Sequence, residues 1–275
     1  MPTLGEVVAV LDRFFDPAWA EPWDAVGLVC GDPAAPVHRV LLAIDPVAAT
    51  VAESAAVGAD LLLTHHPLLL RPVHGVAADT YKGRLVHRLI IGGIALHTAH
   101  TNADVASPGV SDALAAALGL HHTRPLQDTD GPRGLGRIGA LAEPISLAAL
   151  ARCTAAALPA TAGGIRVSGD PARLIRTVAV CGGAGDDLLS YAARAGADAY
   201  VTADLRHHPA AEHVEAGGPA LIDVPHWSSE HPWLAETAAR LKMALGDTVE
   251  TVVSDLVTDP WSFYVPFAEE SSTAQ

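Results

Sequence analysis

Apolar runs alternate with amphipathic stretches along most of the chain, and this alternation is the main structural signal in the sequence. Short continuous apolar runs are typical of buried strands, whereas longer stretches with apolar residues every three or four positions are typical of helices. Strands are predicted at residues 40–44, 60–64, 94–97, 165–167, 177–181, 199–202, 220–224 and 248–253. Helices are predicted at residues 47–57, 84–91, 146–158, 186–194 and 232–245. Because strands and helices alternate, we expect an α/β fold with mainly parallel sheets and helices on their faces.

Two stretches of the chain resemble each other. Residues 58–64 read Gly-Ala-Asp-Leu-Leu-Leu-Thr, and residues 196–202 read Gly-Ala-Asp-Ala-Tyr-Val-Thr. Each is followed within a few residues by His-His-Pro, at 65–67 and at 207–209. Coincidence in an alanine-rich chain is the alternative explanation, but we expect two related α/β units that face each other.

A segment rich in glycine, aspartate and proline at residues 128–136 is the best candidate for a linker between these units. The first unit is therefore expected at residues 1–127 and the second at residues 128–275. The C-terminal segment could pack back on the first unit. A site that uses side chains of both units would lie in the cleft between them.

Composition and charge disfavour several classes of partner. Half of the 275 residues are apolar and 17% are charged, which allows a buried core and argues against disorder. The 17 basic and 31 acidic residues give a formal net charge of −14. Nucleic-acid binding depends on cationic side chains that neutralise phosphates, so a long nucleic acid is not expected as a partner. An anionic membrane surface is disfavoured for the same reason.

Targeting signals and cysteine motifs are also missing from the sequence. No apolar run approaches the roughly 18 residues that a membrane-spanning helix needs. Residues 1–16 contain Glu6, Asp12 and Arg13 within a helical pattern, which is unlike a signal peptide. The three cysteines are widely spaced and offer neither a disulfide framework nor a Cys-x-x-Cys metal site. We therefore expect a soluble protein of the cytoplasm.

The 14 histidines occur in clusters, which matters because imidazole is the commonest metal ligand in proteins. His65 and His66 directly follow a predicted strand. Open α/β sheets bind ligands at the carboxyl ends of their strands, so both rings could converge on a cleft. The alternative is an ordinary surface turn.

Two further pairs of potential ligands follow other predicted strands. His100 and Asp104 are four residues apart, as are His226 and Glu230, and residues with this spacing share one face of a helical turn. Asp104 could be a ligand, with His100 either a ligand or a hydrogen-bonding partner of one. Asp104 could instead cap a helix that begins near Ser111, and the His–Glu pair alone could be a solvated helix face.

Together these strand ends predict a metal centre. His65, His66, Asp104, His226 and Glu230 supply nitrogen and oxygen ligands suited to Zn²⁺, Mn²⁺ or Fe²⁺. One catalytic zinc usually takes three protein ligands, so five donors predict two divalent ions per chain, about 3.5–4 Å apart. Glu230 could bridge them. The charge left on the two ions would favour a small anionic, nucleotide-like substrate.

A glycine-rich turn at residues 182–185 is a weaker signal. It follows a predicted strand and precedes a helix, as phosphate-binding loops do. It lacks the third glycine of the dinucleotide fingerprint and the Gly-Lys-Ser/Thr of a P-loop. A tight turn, or a contact to a substrate phosphate, is the better interpretation.

In combination, several motifs resemble the family of dinuclear-metal hexameric proteins known as GTP cyclohydrolase 1 type 2 homologues, or Nif-three-like proteins. The motifs are Trp-Asp-Ala-Val-Gly-Leu at 23–28, Thr-His-His-Pro at 64–67, His-Thr-Asn-Ala-Asp at 100–104, Gly-Leu-Gly-Arg-Ile-Gly at 134–139, Tyr-Val-Thr-Ala-Asp at 200–204 followed by His208, and the pair His226 and Glu230. Ala25 stands where the family usually has asparagine, and Ala203 where glycine is typical. The resemblance covers nearly the whole chain.

The resemblance implies the same five metal ligands that the spacing predicts, and a toroidal homohexamer whose sites face an inner cavity. It also implies a reaction, the opening of the guanine ring of GTP at C8 with release of formate. Glu230 would then be essential for catalysis, and His100 or His208 could move protons.

Two other functions remain open from the sequence. The chain could be a metal-binding hexameric protein with a regulatory or assembly role and no small-molecule turnover. It could also be a metal-dependent phosphodiesterase that acts on short nucleotides, which the charge of −14 does not exclude.

Overall fold

The computed structural model describes residues 1–127 and 131–266. The helices are α1 (Leu4–Phe14), α2 (Ala48–Ala56), α3 (Tyr81–Ile91), α4 (Thr101–Val105), α5 (Val110–Ala117), α6 (Leu147–Ala157), α7 (Leu189–Arg194), α8 (His207–Glu215), α9 (His226–Glu230) and α10 (Pro232–Leu245), with short 3₁₀ turns at Pro17–Trp19, Asp186–Leu188 and Gly246–Thr248. The strands are β1 (Gly27–Cys30), β2 (Arg39–Ala43), β3 (Leu61–Thr64), β4 (Ala95–Thr98), β5 (His121–Pro125), β6 (Arg137–Ser146), β7 (Arg166–Ser168), β8 (Leu174–Ala184), β9 (Ala199–Ala203), β10 (Ala220–Val224) and β11 (Glu250–Val253). Within these residues, no helix has both the length and the apolar character needed to cross a membrane.

The strands form two sheets, as the α/β prediction requires. The first has five strands in the order β1-β4-β3-β2-β11, and all its pairings are parallel except that of the edge strand β1. The second has six strands in the order β5-β6-β8-β9-β10-β7. Only its central pairings, β8 with β9 and β9 with β10, are parallel. The fold is therefore mixed α/β. Parallel strands form the centre of each sheet, and antiparallel strands form both edges of the second sheet and one edge of the first.

The antiparallel edge of the second sheet differs from the sequence-based expectation. Strand β6 was not predicted, because its ten residues mix glycine, proline and charged side chains without regular alternation. It forms because it pairs with β8 on one side and β5 on the other. Long-range pairing outweighed local preference at this position.

Helices cover both faces of each sheet. Alternate residues of β3 point to opposite faces, so Leu61 and Leu63 pack with α1 and α10, whereas Leu62 packs with α2 and α3. The second sheet packs with α5 and α6 on one face and with α7 and α8 on the other. Helix α5 contributes Val110 to the first core and Leu114 to the second. Helix α5 therefore packs against both sheets and contributes to both hydrophobic cores.

The C-terminal part of the chain returns to the first sheet. After α10, strand β11 pairs in parallel with β2, in the register Glu250 with Arg39. The predicted linker at 128–136 lies partly outside the described residues, as does the predicted boundary between residues 127 and 128. Its described part includes Gly134 and Gly136, whose carbonyls accept hydrogen bonds from the side chain of Arg137.

A buried histidine in the first sheet predicts a pH dependence of stability. His97 on β4 is almost fully buried, and neither ring nitrogen has a hydrogen-bond partner among the described residues. The nearest carboxylate oxygen is Oδ1 of Asp12, 4.0 Å from Nε2. Burial lowers the pKa of His97 to about 4. Between that value and the ordinary value near 6.5, the unfolded chain binds a proton that the folded chain does not.

Stability should therefore fall as the pH falls through this window, by about 2 kcal/mol between pH 7.5 and pH 5 from this one group. His97→Leu should remove that component. Urea unfolding of both proteins at the two pH values measures it, because the other titrating groups are shared. Parallel pH dependence in the two proteins would show that His97 is not the cause.

Candidate metal centre

The adjacent histidines lie where the sequence places them, at the carboxyl end of a central strand. His65 and His66 follow β3, and their backbone N–H groups donate to the carbonyls of Ala43 and Ile44 at 3.2 and 2.9 Å. The ladder with β2 therefore continues past the end of the strand and holds both residues rigidly. The ring of His65 packs against that of Trp233 on α10, with centroids 5.3 Å apart.

The two pairs with four-residue spacing lie on the first turns after two strands, one from each sheet. His100 immediately precedes α4 and Asp104 lies within it, after β4 of the first sheet. His226 and Glu230 begin and end α9, after β10 of the second sheet. Nε2 of His226 lies 3.0 Å from Oε1 of Glu230, as expected for side chains one helical turn apart.

Glu230 is the point on which these side chains converge. Its carboxylate is 3% exposed. Oε1 lies 3.4 Å from Nε2 of His65, and Oε2 lies 3.1 Å from Nε2 of His66. Oδ1 of Asp104 lies 3.7 Å from the same nitrogen of His65. The structure thus brings together all five sequence-predicted ligands, from both sheets.

His100 also belongs to this group. One ring nitrogen from each of His65, His66 and His100 lies within 4.8 Å of the others. A second group with the same spacing consists of His66, His226 and Glu230. His66 is common to both groups, so the donor atoms form one continuous cluster.

The other ring nitrogen of each histidine is bound by an acceptor. Nδ1 of His66 contacts Asp45 at 2.7 Å, and Nδ1 of His65 contacts the carbonyl of Ala99 at 2.9 Å. The remaining two contacts are those of Nδ1 of His226 with Asp204 at 2.7 Å and of Nδ1 of His100 with Asp24 at 2.8 Å. Because Nδ1–H donates in each case, Nε2 of the neutral ring is left as an acceptor that points into the cluster. This arrangement is typical of histidine metal ligands.

Sequence reasoning did not assign these supporting carboxylates. Asp24 and Asp204 belong to motifs that resemble those of the family, but the sequence does not indicate that they bind histidines. It does not single out Asp45 at all. Two of the three have one available signal, since Asp45 and Asp204 follow the ends of β2 and β9, respectively. The partner of each carboxylate is more than twenty residues away in sequence, and spacing alone does not reveal it.

The cluster fits a divalent cation. Nε2 of His65 and Oε2 of Glu230 are buried and have no hydrogen-bond donor among the described residues. Nε2 of His66 and Nε2 of His226 are 3.2 Å apart, and both are acceptors when the rings are neutral and Nδ1 is the donor. Facing acceptors repel unless positive charge lies between them, and unpartnered buried polar atoms are costly. A metal ion satisfies all these atoms at once.

The electrostatics of the cluster favour positive charge as well. Burial lowers the pKa of His66, but the charge of Glu230 and the hydrogen bond to Asp45 outweigh it and raise the pKa to about 10. Burial likewise opposes the effects of Glu230 and Asp204 on His226, whose pKa is raised to about 11. The pKa of Glu230 is held well below its usual value by the surrounding imidazoles, against the effect of burial. A site that stabilises imidazolium so strongly also stabilises a bound cation.

The glycine-rich turn at 182–185 forms one wall of the cluster. Gly183 has φ of +68°, and a Cβ at this position would lie 2.4 Å from Oε1 of Glu230 and 3.2 Å from Nε2 of His226. Its N–H donates to Oγ of Ser229 at 2.8 Å. Only glycine lets the backbone approach the ligands this closely. This close approach to the candidate ligands explains the glycine at this position without a bound phosphate.

His208 lies apart from the cluster. It is exposed in the first turn of α8, where its ring contacts that of His207 with centroids 5.1 Å apart. In the described part of the chain it has no hydrogen bond or ion pair with any of the predicted ligands. A role for His208 in proton transfer stays a prediction, whereas His100 lies within reach of the centre.

A cavity of about 950 Å³ opens over the cluster. His66, His100 and His226 line its inner end, and residues 258–264 contribute to its wall. The volume lies within the usual range for small-molecule sites. A ligand of nucleotide size could therefore reach the metal centre from solvent.

Comparison with known proteins gives consistent matches over nearly the whole chain. Residues 2–260 match the family model described as Duf34/NIF3 (NGG1p interacting factor 3). A protein of Streptomyces coelicolor named GTP cyclohydrolase 1 type 2 homolog is 52% identical over 279 aligned residues, which cover 99% of this chain and 98% of that protein. The protein of the same name from Mycobacterium tuberculosis is 38% identical, with 94% and 96% of the two chains covered.

Solved structures show the same fold. A Bacillus cereus protein related to NIF3 aligns with a TM-score of 0.88 at 25% identity, covering 96% of this chain and 99% of that chain. Reduced HcgD from Methanocaldococcus jannaschii aligns with a TM-score of 0.76 at 26% identity, covering 92% and 98%.

Proposed function

This chain belongs to the Duf34/NIF3 family, and on that premise we propose that it is a hydrolase that uses two divalent metal ions to open the guanine ring of GTP and release formate. The observation that carries the proposal is the convergence of ligands from both sheets on Glu230, at the inner end of an open cavity. The names of the relatives, GTP cyclohydrolase 1 type 2 homolog, support the choice of reaction.

The donor set supports two ions in preference to one. Four imidazoles and two carboxylates exceed the three protein ligands that a single catalytic zinc usually takes. The two oxygens of Glu230 face different histidines, Oε1 towards His65 and His226 and Oε2 towards His66. A carboxylate in this position can bridge two metal ions.

The chemistry suits the site. Bound divalent ions would lower the pKa of water to about 7 and polarise the substrate, which makes hydrolysis feasible at neutral pH. Attack of one water on C8 opens the imidazole ring of guanine, and a second water releases that carbon as formate. His100 is held through Nδ1 by Asp24, and its ring lines the cavity, so its other nitrogen can exchange a proton with the reacting groups when it is not itself a ligand.

Formate release from GTP tests the proposal directly. Purified protein is loaded separately with Zn²⁺, Mn²⁺ and Fe²⁺, and metal-stripped protein is the control. We expect one formate for each GTP consumed with at least one metal and none from the stripped protein. If metal analysis shows a filled site and no metal supports formate release, the cyclohydrolase proposal is wrong.

A further inference from the structure

The wall of the cavity contains a carboxylate without a partner. Asp259 lines the cavity between β11 and the end of the described chain. Its Oδ2 is buried, and no donor among residues 1–127 and 131–266 reaches it. Buried carboxylate oxygens are almost always hydrogen-bonded, because leaving them unpaired is costly. The residue as a whole is half-buried and lines the cavity, so a ligand there could supply the missing donor if the side chain turns towards it.

Three aromatic side chains line the same cavity next to this carboxylate. Trp261, Phe263 and Tyr264 are 71%, 80% and 68% exposed, so their rings are covered very little by the rest of the chain. Exposed aromatic rings beside a polar recognition group are typical of sites that stack planar heterocycles. These rings line the same cavity as His66, His100 and His226, whereas exposed aromatic residues elsewhere on the surface do not.

The segment that carries these groups is tied to the metal cluster. Oγ1 of Thr258, the residue before Asp259, donates to Oδ2 of Asp45. Oδ1 of Asp45 binds Nδ1 of His66 at 2.7 Å. One carboxylate therefore connects a metal-binding histidine to the neighbour of Asp259. A ligand held by Asp259 would occupy the same cavity that His66, His100 and His226 line.

We propose that Asp259 and the rings of Trp261, Phe263 and Tyr264 form a subsite that binds the guanine base, an inference that rests on the proposed function. The carboxylate accepts N1–H and one N2–H of guanine in a bidentate pair, and the aromatic rings stack on the base. C8 lies on the opposite edge of guanine from N1 and N2. A base held in this way presents C8 away from Asp259 and towards the metal cluster.

This geometry predicts an order of affinity among nucleotides. Inosine lacks the 2-amino group and keeps only one of the two donors. Adenine offers an acceptor at N1, which a carboxylate repels, and xanthine has a carbonyl where guanine has its 2-amino group. GTP should therefore bind about tenfold more tightly than ITP, and about a hundredfold more tightly than ATP or XTP, since a hydrogen bond to a charged group is worth about one to two factors of ten.

Titration calorimetry of the metal-loaded full chain with these four nucleotides tests the subsite. Asp259→Asn should weaken GTP binding at least tenfold and strengthen XTP binding, because an amide can donate to the xanthine carbonyl. Trp261→Ala should weaken GTP and ITP by the same factor, about tenfold, because stacking does not depend on the 2-amino group. Asp255→Asn, an exposed aspartate of the same segment, and Tyr81→Ala, an exposed aromatic on α3, are the matched controls and should bind GTP as the wild type does.

Equal affinity for GTP and ATP, or wild-type GTP binding by Asp259→Asn, would overturn the proposal. Dissociation of an oligomer by Trp261→Ala with unchanged nucleotide binding would also overturn it, because the rings would then cover a second copy of the chain. Selective GTP binding that depends on Asp259 supports the subsite even when no formate is released. In that outcome the proposed reaction fails and the inference about the base stands.

Discussion

Glu230→Ala should lose tight metal binding while the chain stays folded. The carboxylate contacts three histidines through two oxygens, and these histidines include members of both groups of donor atoms in the described cluster. Its removal leaves neutral imidazoles that face one another across the cleft, with Asp104 3.7 Å from His65 as the remaining carboxylate. Loss of a group that merely orients a ligand costs about 10- to 100-fold in metal affinity, so loss of Glu230 should cost more than about 100-fold.

Metal content after dialysis and calorimetric titration with Zn²⁺ measure this effect without reference to any activity. Glu230→Gln separates charge from volume, because it preserves the shape of the side chain and should lose metal nearly as completely. Glu212→Ala, an exposed glutamate on α8, is the control and should bind metal like the wild type. Circular dichroism confirms that each variant is folded. Normal metal content in folded Glu230→Ala would show that Glu230 is not a ligand.

Arg137→Leu should destabilise the protein by about 3–5 kcal/mol, the range found when one partner of a buried ion pair is removed. Arg137 on β6 is 1% exposed. Its Nε and Nη2 donate to the two oxygens of Asp112 at 2.6 and 2.7 Å. Its remaining bonds are to backbone carbonyls: Nη1 to those of Gly134 and Gly136, and Nη2 to that of Ala106, all at 2.6–2.7 Å. Leucine removes the guanidinium donors of the three carbonyls and of the carboxylate, and only Asp112 and Gly136 keep a backbone N–H donor among the bonds of the described residues.

The guanidinium connects the unpredicted strand β6 to α5, the helix that contributes to both cores. Urea unfolding measures the effect, with Arg176→Leu as a control at an exposed arginine. Arg137→Lys should recover only part of the stability, because an ammonium group cannot form the planar double contact with Asp112. A loss below about 1 kcal/mol in Arg137→Leu, the range of an exposed ion pair, would contradict a structural role for this network.

The pattern of apolar and polar residues correctly predicted those helices and strands that begin or end at a residue with a strong conformational preference, such as proline or glycine. The helix expected at 232–245 is α10 with the same limits, because Pro232 suits the first turn and Gly246 adopts a positive φ directly after the last. The apolar runs that became β2, β3 and β10 are buried in the centres of their sheets. A strand made of a continuous apolar run is stable only where both of its faces are buried. Its composition therefore predicts that it lies inside the sheet and not at an edge.

The two His-His-Pro motifs show where local pattern is insufficient. The first continues the β3 ladder, and both of its histidines contribute a ring nitrogen to the candidate metal site. The second is separated from β9 by residues 204–206 and begins α8, so His208 points elsewhere. The same three residues therefore take up different structures. Backbone hydrogen bonds to β2 hold the first motif in the sheet, whereas the second motif begins a helix.

The sequence by itself determined the fold class, the central strands and the ligand types at their carboxyl ends, because burial of apolar runs and the direction of parallel strands leave little choice. Only the tertiary structure decided which carboxylate orients which histidine, how closely Gly183 approaches Glu230, and where Asp259 and the aromatic rings lie relative to the metal cluster. Those relations join residues that are distant along the chain, and packing of the two sheets against shared helices brings them together.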